Sequence, residues 1–164
     1  MKIALAADHA GYEQAKVLKI WLGERGHECL DYGPKALLPG DDYPDYIIPA
    51  AKAVASMEAD RAIVLGGSGQ GEAMAANRLP GVRAAVYYGP AIAKMVVDAG
   101  GRVSHDPFEI VKLSRQHNNS NVLSIGARFV SLEEMKQVIS LWLDTTFSSD
   151  QRHIRRVDRL DQEA

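Results

Sequence analysis

The residues with the most chemical content lie in one short stretch, Gly66 to Glu72, which reads Gly-Gly-Ser-Gly-Gln-Gly-Glu. Its glycines at 66, 67, 69 and 71 permit positive φ and let a ligand come close to the main chain. Ser68 adds a hydroxyl and Glu72 a carboxylate. A cradle for phosphate alone would exclude that carboxylate, because like charges near 4 Å repel by several kcal/mol at an effective dielectric of about 20. The combination suits a base, Glu72, beside an oxyanion site built from Ser68 and the amides of Gly67, Gly69 and Gly71. A plain tight turn is the competing account, since acidic residues are favoured on first helical turns by the macrodipole alone, but so many glycines exceed what a turn needs.

The flanking residues say how this stretch is held. Ala62 to Leu65 is a short apolar run, and Glu72 to Ala76 favours helix, so the order is strand, glycine loop, helix. The same alternation recurs along the chain. Lys2 to Ala7 reads as a strand, followed by Asp8-His9-Ala10-Gly11 and a helix from Tyr12 to Arg25 that Gly26 stops. Glu28 to Tyr32 is a second strand, and Gly33 to Asp45 a loop rich in proline, glycine and aspartate. A helix is expected from Ile47 to Met57, with strands at Arg61 to Leu65, Val82 to Tyr88 and Val122 to Ile125. Leu132 to Leu143 is an amphipathic helix. Alternation of this kind predicts right-handed crossovers and a parallel sheet covered by helices on both faces. The expected fold is a Rossmann-like, doubly wound three-layer α/β sandwich with five strands in the order 2-1-3-4-5. In that order strands one and three flank the switch point, so Asp8-His9 and the glycine loop converge in one crevice.

Composition narrows the function. The 164 residues fit a single domain, and 46% hydrophobic with 24% charged residues is ordinary for a globular chain. A net charge of −2 disfavours a nucleic-acid-binding role. The lone cysteine, Cys29, rules out an internal disulfide and fits a reducing compartment. With no signal-peptide pattern and no apolar run of membrane-spanning length, a cytoplasmic protein with no membrane partner is expected.

Several motifs carry a family resemblance: Asp8-His9-Ala10-Gly11, Asp42-Tyr43-Pro44-Asp45-Tyr46, the glycine loop with Ala75-Ala76-Asn77-Arg78, His117-Asn118-Asn119, Gly126-Ala127-Arg128, and Arg152-His153 with Arg155-Arg156. Together, and in this order over nearly the whole chain, they resemble the ribose-5-phosphate isomerase B and galactose-6-phosphate isomerase family. The resemblance implies an aldose-ketose isomerase that uses no cofactor and no metal. It implies a homodimer or tetramer whose active sites are shared between subunits, with a C-terminal helix reaching the partner. It assigns ring opening to His117 and Asp8, and phosphate binding to His9 and Arg128, with Arg152 and Arg156 contributed across the dimer. Asn118 and Tyr43 would line the substrate. In one branch of the family a cysteine at the end of the third strand is the base, and that place is Gly66 here. This chain is similar to the other branch, in which a glutamate follows Gly-Ser-Gly-X-Gly, and that residue is Glu72. Partial desolvation of Glu72 is expected, opposed by the helix terminus.

The local alternatives stand beside these roles. His9 could simply satisfy its loop, His117-Asn118-Asn119 could be a helix-ending turn, Tyr43 could belong to a Pro-Asp turn, and the arginines from Arg152 to Arg159 could be a solvated helix face. Arg152 and Arg156 lie four apart and share a face, which suits a phosphate grip. The chain departs from the family pattern by an extra stretch at about residues 94–110. That stretch is read either as surface decoration or as a lid or dimer contact that brings Arg102 or His105 to the site. Ribose 5-phosphate is the leading substrate, with allose, galactose and tetrose phosphates as alternatives. A flavodoxin-like nucleotide-binding module or a catalytically silent sugar-phosphate sensor would use the same scaffold.

Overall fold

A computed structural model describes residues 1–162. The strands are β1 (Lys2–Ala7), β2 (Glu28–Asp31), β3 (Arg61–Gly66), β4 (Ala84–Tyr87) and β5 (Val122–Gly126). Between and after them run α1 (Tyr12–Glu24), α2 (Pro44–Ala55), α3 (Gln70–Ala76), α4 (Glu109–Asn118), α5 (Leu132–Asp144) and α6 (Gln151–Gln162). All four strand pairings are parallel.

The sheet order is β2-β1-β3-β5-β4, so the expected order 2-1-3-4-5 is corrected at its last two places. Burial accounts for the exchange. Every residue of β5, Val-Leu-Ser-Ile-Gly, is buried, whereas β4 is four residues long and only its Tyr87 is buried. The longer strand, buried along its whole length, takes the inner position, and the four-residue strand opening on two alanines takes the edge. The switch point between β1 and β3 is untouched by this, so the crevice survives the correction.

Strand alternation sorts the core into two layers. Ile3, Leu5, Ile63, Leu65, Leu123 and Ile125 face one way and pack with Leu18 and Leu22 of α1 and Met135, Ile139 and Trp142 of α5. Ala4, Ala6, Ala62 and Val64 face the other way and meet Ile47, Ala50 and Ala51 of α2 and Ala76 of α3. The small side chains on that face let α2 lie close over β1. Helix α2 begins earlier than periodicity predicts because Pro44 takes its first turn, where the missing N–H costs nothing. Helix α4 ends at Asn119, whose φ of 46° is left-handed, so the expected helix-ending turn at His117-Asn118-Asn119 is present.

Candidate functional site

Three loops meet at the carboxyl edge of the sheet. The β1–α1 loop brings Asp8 and His9, the β3–α3 loop brings the glycine stretch, and the β5–α5 loop brings Arg128. Main-chain bonds tie them together: the amide of Asp8 donates to Leu65 O at 3.3 Å, that of Ala127 to Gly66 O at 2.7 Å, and that of Arg128 to Gly67 O at 3.2 Å. The Arg128 guanidinium lies over Gly67, 3.4 Å from where a Cβ would stand there.

Glu72 is the buried acid of this crevice, 4% exposed, on the first turn of α3. Its carboxylate folds back across the end of β3, so that a Cβ on Gly66 would overlap it and lie 2.7 Å from its Cγ. One carboxylate oxygen, Oε2, is buried without a hydrogen-bond partner. Burial pushes the Glu72 carboxyl above the ordinary glutamate range and the charge of Asp8 adds to this, while amides at the start of the helix act in the opposite direction. The balance is a base stronger than a solvated glutamate.

Gly69, with φ of 77°, turns the loop into α3, and the space around it is closed by Gly126 N at 3.0 Å from a would-be Cβ. Ser68 is exposed, and its hydroxyl accepts from the Gln70 amide at 3.3 Å. The ring of Tyr43 covers Gly71, leaving 2.8 Å to a would-be Cβ. Asp8 is buried and its Oδ1 accepts from the Ala10 amide at 2.9 Å. Ser68 and Gln70 also wall a cavity of about 150 Å³ with Tyr88 and Phe129, whose rings are largely exposed.

The sequence reading missed Asp41. This residue, in the loop before α2, holds His9 at two points: its Oδ1 accepts from the His9 amide at 3.1 Å and from Nδ1 at 2.7 Å. In sequence it is one of several aspartates in a turn-rich run, and nothing local marks it.

The remaining expected residues lie elsewhere in the chain. His117 and Asn118 end α4, just before β5 begins at Val122, and Val122 pairs with Ala62 at the start of β3. Glu72 follows the end of β3. The two therefore sit at opposite edges of the sheet, separated by a strand length of about 16 Å at about 3.3 Å per residue. Helix α6 lies on the His117 side. His153 stacks on His117 with ring centroids 4.2 Å apart, and the hydroxyl of Ser148 meets His153 Nδ1 at 2.8 Å. Arg152 lines the same cavity of about 350 Å³ as His117, while Arg156 is exposed one turn further along the helix. Burial, followed by the neighbouring His153 and Arg152, holds the His117 imidazole below its ordinary value. Arg102 and Asp98, from the irregular segment between β4 and α4, line that cavity too, and Arg102 is fixed to Asp98 at 3.0 Å and Glu109 at 2.6 Å. His105 is not among the residues that line it. Cys29 lies on β2, beside Ile3 of β1 and away from the crevice, and burial raises its thiol.

No helix among the described residues is long and apolar enough to cross a membrane. Asp8, His9 and Asp41 bring three potential ligand atoms within 4.8 Å of one another, but two of the three groups are already engaged in the His9–Asp41 bond.

Comparison with known proteins agrees with the resemblance noted in the sequence. The model of the ribose/galactose isomerase family matches residues 3–100 and 103–160, breaking only at 101–102 within the segment between β4 and α4. Ribose-5-phosphate isomerase B of Mycobacterium tuberculosis is 36% identical over 160 residues, covering 98% of this chain and 88% of that protein. The structure of ribose-5-phosphate isomerase B from Clostridium thermocellum is similar with a TM-score of 0.84 and 34% identity, over 99% of this chain and 97% of the other. That of the Mycoplasma genitalium enzyme with bound ribulose-5-phosphate has a TM-score of 0.83 at 30% identity, over 99% and 95%. The chain belongs to the ribose/galactose isomerase family.

Proposed function

We propose that this protein interconverts ribose 5-phosphate and ribulose 5-phosphate through a cis-enediolate, with Glu72 as the base. The observation that carries the reading is the buried Glu72 carboxylate, raised in pKa and with an unpaired oxygen, folded against the serine-glycine loop. In the forward direction Glu72 takes the proton from C2, and the electrons of that C–H bond form the C1–C2 double bond while the C1 carbonyl oxygen becomes the oxyanion. Glu72 then returns its proton to C1. The hydroxyl proton on O2 moves to O1 as C2 becomes the carbonyl, so no redox partner is required. Ser68 and the amides of Gly67, Gly69 and Gly71 are the donors for the enediolate oxygen. Before this step the sugar ring opens, with Asp8 and His117 exchanging the protons of the anomeric hydroxyl and the ring oxygen. His9, Arg128, Arg152 and Arg156 take the phosphate, and Tyr43 and Asn118 close the sides of the site.

A single chain cannot deliver this set to one substrate, because His117, Asn118, Arg152 and Arg156 stand at the sheet edge opposite Glu72, Asp8 and Ser68. We infer a homodimer, or a tetramer of two dimers, in which the partner subunit's His117, Asn118 and α6 arginines complete the crevice. The exposed Tyr88 and Phe129 beside Ser68 are apolar surface suited to that contact. The segment at residues 94–110 belongs to the same assembly in this reading, since Arg102 reaches the cavity of His117.

The test is turnover of ribose 5-phosphate by the wild type and Glu72→Gln. Loss of kcat by about 10²–10⁴-fold in the variant, with substrate still bound, supports a glutamate base. Wild-type levels in Glu72→Gln would contradict it, and a wild type that binds sugar phosphate without turnover would make the protein a sensor.

A further inference from the structure

Asp41 is a buried carboxylate, its side chain only 5% exposed, and the proton transfers outlined above give it no part. Its Oδ1 accepts twice from the same residue, once from the His9 main chain and once from the His9 ring. Its Oδ2 is buried with no hydrogen-bond partner. Burial alone would lift the Asp41 carboxyl, yet the hydrogen bonds and charge of His9, with a smaller contribution from the Tyr46 hydroxyl, outweigh it, and the carboxyl lies below the usual range. A carboxylate that stays ionised under such burial is held there chiefly by His9.

The consequence falls on His9. The two-point hold fixes both the main chain and the ring plane of a residue on a loop, and the carboxylate at Nδ1 keeps the proton on that nitrogen. Nε2 is then the ring nitrogen free to meet a ligand, where the N–H of the imidazolium form donates to a phosphate oxygen, and the ring remains 32% exposed beside Asp8. A histidine without this support would have to be ordered by the ligand itself, at a cost to affinity.

We propose that Asp41 is the positioning residue of the phosphate subsite: it locks the His9 imidazole so that Nε2 faces the phosphate of the sugar. The proposal rests on the sugar-phosphate reading of the crevice. It assigns Asp41 to binding, through His9, and not to proton transfer.

The experiment compares Asp41→Ala, His9→Ala and the double variant in the whole chain. Inorganic phosphate serves as competitive inhibitor, and KM and kcat are read with ribose 5-phosphate. Asp41→Ala is expected to raise KM and the phosphate inhibition constant together by about tenfold, the effect of leaving one binding side chain unordered, with kcat changed by less than about twofold. In the His9→Ala background the same change adds nothing, because its route is gone. A merely structural Asp41 would lower the melting temperature and kcat and would act in both backgrounds. If Asp41→Ala fails to fold, Asp41→Ser replaces it, since its side chain is too short to reach the ring. The proposal is overturned if His9→Ala weakens phosphate binding while neither Asp41 variant does, or if the losses add in full. If His9→Ala leaves phosphate binding intact, the phosphate role of His9 itself is wrong.

Discussion

The Glu72 carboxylate occupies the space that any side chain on Gly66 would need. The two positions are therefore coupled: one supplies the base, and the other must be empty for the base to sit there. In the related branch where a cysteine ends the third strand, that cysteine would stand where Glu72 now folds. Gly66→Cys alone should displace the glutamate and lower kcat by at least about 10²-fold. Gly66→Cys combined with Glu72→Ala removes the overlap and should recover activity above either single variant. Because an unperturbed thiol has a pKa of about 8.5, the recovered activity should rise towards alkaline pH. Steady-state kinetics against pH on the three variants check this, and a double variant no better than Gly66→Cys would refute the coupling.

Burial makes Glu72 a pH-dependent liability for the fold. Its folded-state pKa lies above its unfolded value, so the stability it contributes is complete below the unfolded pKa and is lost as pH rises through the folded one. Glu72→Gln keeps the shape without the charge, so its melting temperature should exceed the wild type's at pH 8 and approach it near pH 4. The activity limb has the same origin. In the wild type kcat should fall with decreasing pH at a value above the ordinary glutamate range, because only the ionised carboxylate accepts the C2 proton. Thermal melts and pH profiles measured in parallel read both effects.

Ring opening can be separated from proton transfer by choice of substrate. A tetrose 4-phosphate has no free hydroxyl with which to close a five-membered ring, so it presents an open aldehyde. His117→Ala should therefore lose most activity on ribose 5-phosphate, by about 10²-fold or more, while keeping whatever rate the wild type shows on erythrose 4-phosphate. Equal losses on the two substrates would move His117 out of ring opening. The depressed pKa of His117 predicts that it works as a neutral imidazole near pH 7, able to accept at one nitrogen while donating at the other.

Gly69 offers a stability prediction. Its φ of 77° and the backbone of Gly126 and Ile125 within about 3 Å of a would-be Cβ leave no room for alanine. Gly69→Ala should destabilise by roughly 1–3 kcal/mol and also lower activity, since the loop it turns carries Ser68. Chemical denaturation and turnover read the two losses.

Much of this was legible in the chain. The glycine loop after Leu65 and the polar cluster after Ala7 were visible as residue types, and parallel alternation alone puts them in one crevice. The order of β4 and β5 was not legible from sequence adjacency, although the contrast between Ala84-Ala85 and Val122-Leu123 carried the hint in hindsight. Asp41 could not be singled out, because its role depends on a fold-back of 32 residues onto His9. The residue motifs were consistent with one site, but they could not say that His117 stands a strand length from Glu72. That follows only once α4 is seen to end at the amino edge of β5.

The most direct test of the whole account mixes two dead proteins. Glu72→Gln and His117→Ala are purified separately, assayed with ribose 5-phosphate, then co-refolded or co-expressed and assayed again. A site shared across two copies predicts that each is nearly inactive alone, while heterodimers carry one intact site, giving about a quarter of wild-type activity from random pairing. Activity that stays at the level of the separate variants would show that Glu72 and His117 do not meet across an interface.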